Sequence, residues 1–390
     1  MFSNGLPVIL AAKRTPHGKM GGFFSRLTAI DLAGEVVKNS IEELGLGCES
    51  VKNIVMGCVL SAGLGQAPAR QVAFKAGLLE STAALMMNKV CGSGMAALIY
   101  GCAQLCEEAH QVVVCGGMES MSGAPYLARA RRRLQFGHDV FWDHILIDGL
   151  EDAYEAGASM GLFAEELALS ENLSRDAQDH YAVESVKRTL NAFQKGFFKK
   201  EMAPVMCSKD IFDQDESLPN LKPEKIKTLK PAFKKNGTIT AATASGLADG
   251  ASTLLITTDV YAKKIKTKPK ALIAGWAHFS GTPKRFTLAP VGAVERLLSK
   301  LGWRHQEVDL WEVNEAFAVV PMAFMNLLKI PFDKVNVYGG ALSIGHPLGS
   351  SGARVLVTLL NALEERNLKR GIAAVCIGGG EGLAVAIERS

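Results

Sequence analysis

The chain carries its own pattern twice, and this repeat is the strongest limit on how it can fold. Ala33, Val37, Ile41 and Leu44 recur at helical spacing and stop at Gly45. Val294, Leu298, Leu301 and Gly302 restate Val37, Ile41, Leu44 and Gly45 at a constant offset of 257 residues. After each stop comes a short polar loop, then Val51 or Val308, then a strand-like run: Ile54-Val55-Met56-Gly57-Cys58 or Leu310-Trp311-Glu312-Val313-Asn314. Cys91-Gly92-Ser93-Gly94 opens an apolar helix over 95–106, and Gly349-Ser350-Ser351-Gly352 opens another over 353–363. Each helix leads to a buried strand that ends in a cysteine and glycines, at Cys115-Gly116-Gly117 and at Cys376-Ile377-Gly378-Gly379-Gly380. A last strand follows at once in the second half, at 383–387. Its first-half counterpart is 253–256, so 119–248 reads as an insertion between two strands.

Strands alternating with helices predict an α/β fold with helices on the faces of a sheet. The expected organisation is a first half at 1–118 plus 249–266, an inserted loop domain at 119–248, and a second half at 267–390. In both halves a glycine-serine turn sets a helix N-terminus at the strand ends, where open α/β sheets bind ligands. Pseudo-two-fold packing would bring those ends together, and one site would draw residues from both halves.

Composition narrows the setting. Apolar residues make up 48% and charged residues 21% of the 390, a globular balance that excludes a mainly disordered chain. The net charge of +4 is too small to argue for nucleic acid and mildly favours an anionic small ligand. The longest uncharged apolar run, 316–328, has 13 residues, short of the roughly 18 a spanning helix needs, so no membrane partner is expected. None of the eight cysteines forms a paired CxxC motif of the zinc type. Reduced thiols, with no secretory leader and no peroxisomal tripeptide at Glu388-Arg389-Ser390, predict a cytoplasmic protein.

Three residues carry the chemistry. Cys91 precedes a helix start, where partial positive charge and free N–H groups favour thiolate. His346 is framed by glycines and stiffened by Pro347, a presentation that suits a base better than a packed core residue. Cys376 ends an apolar strand and meets three glycines. A nucleophile, a base and a second thiol suit a reaction that makes an enolate. Asn314 follows a strand, where its amide can orient a water or a carbonyl, and the N–H groups of Cys91 and Gly378 are candidates for an oxyanion hole. In the insertion, Lys222, Lys225, Lys227, Lys230, Lys234 and Lys235 precede the Gly/Ser/Thr-rich stretch 240–250, consistent with a phosphate-bearing ligand.

These residues stand in motifs that resemble the thiolase family from end to end. The motifs are Arg14-Thr15-Pro16, Asn88-Lys89-Val90-Cys91-Gly92-Ser93-Gly94, Gly116-Gly117-Met118-Glu119-Ser120-Met121, Asn314-Glu315-Ala316-Phe317, Gly345-His346-Pro347-Leu348-Gly349 and Cys376-Ile377-Gly378-Gly379-Gly380. The resemblance is nearest to the short-chain biosynthetic branch. It implies the thiolase fold, with two duplicated βαβαβαββ-type halves packed as an αβαβα layered sandwich. It implies acetyl-CoA acetyltransferase activity, the reversible condensation of two acetyl-CoA to acetoacetyl-CoA. Cys91 would carry the acetyl group, His346 would accept its proton, and Cys376 would take the methyl proton of the second acetyl-CoA. His346 and a water held by Asn314 would stabilise the enolate, and the amides of Cys91 and Gly378 the tetrahedral oxyanion. Coenzyme A would lie near Phe233, Ala241, Ser245 and Gly246, with Ala316 and Phe317 beside the pantetheine. No metal or redox cofactor is implied. The family's usual state is a homotetramer, a pair of dimers with part of the insertion at the contact.

Departures from the family pattern bear on specificity. The usual His-Met-Gly reads Ser159-Met160-Gly161, the stretch from Asp148 is one residue longer, a usual Met is Phe286, and a common Asn is Tyr338. Met160, Phe286 and Tyr338 are therefore expected to shape the acyl pocket. A family arginine aligns with Leu218, which leaves Lys222 or Lys225 to serve the phosphates. The alternatives are a degradative 3-ketoacyl-CoA thiolase for longer chains, a decarboxylating ketoacyl synthase, and a non-catalytic CoA-binding protein.

Overall fold

A computed structural model of the chain describes residues 5–129, 138 and 140–389. The first half runs β1 (Pro7–Arg14), the short β2 (Gly18–Lys19), α1 (Ala29–Leu44), β3 (Val51–Gly57), α2 (Pro68–Lys75), β4 (Ala83–Met87), α3 (Ser93–Glu107) and β5 (Val112–Glu119). The insertion holds two small hairpins, β6 (Tyr126–Ala128) with β7 (Phe141–Asp143) and β8 (Val205–Cys207) with β9 (Asp210–Phe212). Between the hairpins stand α4 (Met160–Ser170) and α5 (Arg175–Gln194). The first half then closes with β10 (Ala248–Thr258). After α6 (Asp259–Lys264) the second half runs β11 (Ala271–Ser280), α7 (Ala289–Leu301), β12 (Leu310–Val313), α8 (Val319–Leu328), α9 (Ala341–Ile344), α10 (Leu348–Glu365), β13 (Arg370–Ile377) and β14 (Glu381–Glu388).

The repeat is realised element by element. The matched helices α1 and α7 end in left-handed glycines, Gly45 at φ 60° and Gly302 at φ 67°, a conformation that a Cβ would strain. In each half a parallel strand pair (β3–β5, β12–β13) is followed by an antiparallel return (β5–β10, β13–β14). Where β4 pairs in parallel with β3, the second half keeps only one parallel bridge, Trp311 to Val335.

The strand order is β12-β13-β14-β11-β1-β10-β5-β3-β4. The two half-sheets join through just two register pairs, Val8 with Leu272 and Ile9 with Ala271. That narrow seam lets the sheet fold back on itself around α3 and α10. The helix α10 packs on strands of both halves, while α1 and α2 cover the outer face of the first. The outer face of the second is covered by α7 and α8, with Trp311 and Phe324 edge to face at 5.8 Å. One reading needs correction. The helix α10 begins at Leu348, so the Gly-Ser-Ser-Gly turn is its first turn and not its prelude. The basic stretch 263–270 starts inside α6, which Thr258 caps by accepting from the N–H of Tyr261.

The two middle helices touch backbone to backbone. A Cβ on Gly94 would lie 2.9 Å from both the Ala353 nitrogen and the Gly349 carbonyl oxygen. A Cβ on Gly352, the matching residue, would lie 2.7 Å from the Met95 nitrogen. Only glycine permits this approach, and it brings the two helix N-termini together. Buried ion pairs then fasten the insertion. Arg14 donates from Nε to Glu201 at 2.6 Å and from both terminal nitrogens to Asp215 at 2.7 and 3.0 Å. Among the described residues no helix is long and apolar enough to cross a membrane.

Gly94→Ala and Gly352→Ala should each lower the unfolding free energy by roughly 1–3 kcal/mol, the cost of overpacking a tight contact. Urea denaturation measures this, and a loss under about 0.5 kcal/mol in both would show that the helices yield easily.

Candidate active site

Cys91 lies just ahead of Gly92, the N-cap of α3, in a locked turn. Ser93 makes the lock: its hydroxyl accepts from the Lys89 N–H at 2.8 Å and donates to the Val90 carbonyl at 2.7 Å. Val90 is held at φ 46°, left-handed and β-branched, a strain of about 1–3 kcal/mol that the surrounding hydrogen bonds sustain. The turn aims the Cys91 side chain into a mostly apolar cavity of about 160 Å³.

His346 enters the same cavity from the other half. Gly345 at φ 90° and Pro347, the N-cap of α10, set its backbone, and its N–H donates to the Gly246 carbonyl at 2.9 Å. Ser351 favours one tautomer. With its hydroxyl donating to the Pro347 carbonyl at 3.0 Å, its oxygen is free to accept from Nδ1–H of His346 at 2.6 Å. The basic lone pair is then on Nε2. Asn314, directly after β12, places Nδ2 3.4 Å from that Nε2. The next residue, Glu315, is clasped by the insertion: it accepts from Tyr181 at 2.8 Å and Ser185 at 2.9 Å.

The electrostatics differ from the sequence expectation in one respect. Burial pushes the Cys91 thiol up to about 12, against the N–H groups of Gly378 and Cys91 itself, which pull the other way. The resting group is a thiol, because desolvation outweighs the helix N-terminus. Burial, and then the positive charge of Arg354, lower His346 to about 3, so the imidazole is neutral and free to accept. Burial and the proximity of Cys91 also hold the Cys376 thiol protonated.

Of the residues singled out in the sequence, Cys91, His346, Gly378, Ser159, Met160, Phe233, Ser245, Gly246, Ala316 and Phe317 line the cavity. Asn314 and Cys376 are fully buried behind that wall, beside His346 and Cys91 respectively. Ala241, Lys222 and Lys225 are exposed and lie outside the wall. Phe286 lines the cavity as expected; Tyr338 does not, because its ring stacks on Phe197 at 5.0 Å within the core. The sequence reading missed Leu146 and Leu150, which belong to a π-helical turn at Leu146–Leu150. A π turn accommodates one extra residue, and the single-residue lengthening near Asp148 was its signal. It also missed Ser351 and Arg354; a lone charge in the apolar run of α10 marked the latter.

The thiolase N-terminal domain model matches residues 7–259 and the thiolase C-terminal domain model residues 267–389. Acetyl-CoA acetyltransferase IA of Candida tropicalis is 42% identical over 390 residues, covering 98% of this chain and 96% of the relative. The acetyl-CoA acetyltransferase of Cupriavidus necator is 41% identical over 389 residues, covering 98% and 99%. The Acat5 thiolase from Ascaris suum in complex with coenzyme A superposes with a TM-score of 0.93 at 39% identity, over 99% of this chain and 100% of that one. Human mitochondrial 3-ketoacyl-CoA thiolase in complex with CoA gives 0.94 at 37% identity, over 99% and 98%.

Two pH effects should follow from this burial. Alkylation of Cys91 by iodoacetamide in the free protein should keep accelerating above about pH 9; a plateau below about pH 8 would indicate a resting thiolate. His17 and His346 are both lowered to about 3, chiefly by burial. The unfolded chain therefore takes up protons below about pH 6.5 that the folded one refuses, and stability present above that pH is lost as pH falls toward 3. The urea midpoint should drop between about pH 7 and pH 5, less steeply in His17→Leu. An unchanged wild-type midpoint contradicts the assignment.

Proposed function

The chain belongs to the thiolase family and is an acyltransferase, and from that premise we propose that it condenses two acetyl-CoA to acetoacetyl-CoA and CoA through an acetyl-Cys91 intermediate. The observation that carries this reading is the single cavity in which Cys91 of one half, His346 and Gly378 of the other, meet.

The steps follow from the protonation states. The Cys91 thiol passes its proton to Nε2 of His346 as its sulfur attacks the acetyl carbonyl. Negative charge gathers on the carbonyl oxygen, where the N–H groups of Cys91 and Gly378 receive it. The C–S bond to coenzyme A breaks, and the departing thiolate takes the proton of Cys376. Cys376, now a thiolate, removes a methyl proton from a second acetyl-CoA. The enolate oxygen is held by Asn314, through a water, and His346. The carbanion attacks the acetyl-Cys91 carbonyl, the thioester bond breaks, and His346 returns its proton to Cys91. One proton leaves carbon and one arrives on coenzyme A, so the cycle balances. A neutral His346 and two protonated thiols are the starting states that this sequence requires.

Coenzyme A thioesters are the substrates in this reading. Pantetheine would pass Ser245, Gly246, Ala316, Phe317 and Phe233, whose ring meets Phe317 edge to face at 5.8 Å. The exposed Lys222 and Lys225 would serve the phosphates outside the cavity. The protein would act in the cytoplasm as a homotetramer; the exposed Tyr126, Phe141 and Trp142 on the β6–β7 hairpin support an interface there. A second reading, thiolytic cleavage of longer 3-ketoacyl-CoA, draws support from the apolar wall of Leu146, Leu150 and Phe286.

Cys91→Ala should fold and never accumulate a labelled acetyl-enzyme; an adduct surviving the substitution refutes the nucleophile. Cys376→Ser should slow proton exchange at the acetyl-CoA methyl far more than acylation of Cys91, and equal losses would reassign it. Turnover across a ladder of 3-ketoacyl-CoA lengths decides between the readings: activity should peak at acetoacetyl-CoA, and a peak at longer chains favours the second.

A further inference from the structure

Arg354 is a full positive charge inside a packed helix. It is 1% exposed, and its partners Glu312 and Asn314 are 2% and 0% exposed. One terminal nitrogen, Nη1, donates to Glu312 at 2.9 Å; the other, Nη2, donates to the Asn314 Oδ1 at 3.2 Å. Nε is buried and has no hydrogen-bond partner among the described residues. Burying a charge costs several kcal/mol even when it is paired, and a hydrophobic residue would pack this helix more cheaply. What the charge supplies is direction. A guanidinium has five donors and no acceptor. Facing it, Asn314 has only one stable orientation, with Oδ1 toward Arg354 and the Nδ2 hydrogens toward His346, 3.4 and 3.5 Å from its ring nitrogens. The amide would otherwise be free to flip and turn an acceptor toward the water beside the developing enolate, where a donor leaves both water hydrogens free to point outward. Glu312 holds the guanidinium by its other edge, which keeps the fork in register with Asn314.

We propose that Arg354 is a positioning residue of this site, pinning the Oδ1 of Asn314 so that the amide N–H groups face His346 and the water that holds the enolate formed beside it. The inference rests on the proposed acetyl transfer, and it concerns the enolate step more than the acylation step. In support, the same charge, after burial, opposes protonation of His346.

The test measures two partial reactions on the full-length protein: acetylation of Cys91 by acetyl-CoA, and exchange of the acetyl-CoA methyl protons with deuterated solvent. Arg354→Met should slow exchange and lower kcat for condensation by about 10–100-fold, the usual loss when a supporting hydrogen bond is removed. Acetylation should slow several-fold less, and KM should stay within about 3-fold. Arg354→Lys, which keeps a donor-only cation, should recover part of the loss. Asn314→Asp, which pairs with Arg354 but offers His346 no donor, should show the same split. Equal losses in both partial reactions, a change confined to KM, or exchange within about 2-fold of wild type overturns the positioning role. Should Arg354→Met fail to fold, Arg354→Lys and Asn314→Asp decide: exchange at the wild-type rate in Asn314→Asp overturns it. A wild type that never acetylates Cys91 overturns the underlying reading instead, and is seen in the first measurement.

Discussion

The contact between α3 and α10 is the constraint on which the rest depends. Each helix starts at the carboxyl ends of its own half-sheet, and each carries a reactive residue just before that start, Cys91 or His346. With ordinary side chains at the crossing, helix axes lie about 8–10 Å apart. Gly94 and Gly352 remove the side chains at the crossing, so the backbones meet and the two N-termini open into one cavity. The neighbouring segments are fitted to the same approach. A Cβ on Gly117 would collide with the Gly349 carbonyl, and one on Gly57 with the backbone of Ser93. The narrow seam between β1 and β11 is the other half of the arrangement, because a broad seam would hold the two half-sheets side by side and leave no room for a shared helical layer.

Burial at this junction sets the chemistry. The water-poor environment keeps both thiols protonated and the imidazole neutral, so the free site carries no charge that must be shed before substrate arrives. In the proposed acetyl transfer, charge would be created only as bonds change. Buried carboxyl and guanidinium groups lie one layer back. Glu119 accepts from the N–H groups of Leu60 at 3.0 Å and Gly349 at 2.7 Å, tying the end of β3 to the start of α10 across the two halves. Arg354 and Glu312 form the corresponding support behind Asn314.

Much of this was legible in the residues because it is written in local rules. Helical spacing closed by Gly45 and Gly302 revealed the duplication, and strand-end cysteines with glycines marked Cys376 and the loop at Gly378 that lines the cavity. The errors share one cause. The glycines at 349 and 352 looked like a helix prelude because a lone glycine is a poor helix former; their role is a long-range contact that no local window contains. Cys91 looked like a thiolate because the helix N-terminus is visible in sequence and the depth of burial is not. Tyr338 looked like a pocket residue because it replaces a common family Asn at the start of the histidine loop, but its ring stacks on Phe197 instead.

The sequence by itself determined the two-fold plan, the order of the matched strands and helices within each half, and the candidate reactive side chains, since these depend on periodicity and on residue type at helix starts and strand ends. Tertiary structure alone decided which thiol faces which imidazole, which nitrogen of His346 holds the lone pair, which way the amide of Asn314 points, and that Arg354 stands behind it. Those properties arise between groups tens to hundreds of residues apart, and they come into being only when packing removes water and leaves each donor one acceptor to choose.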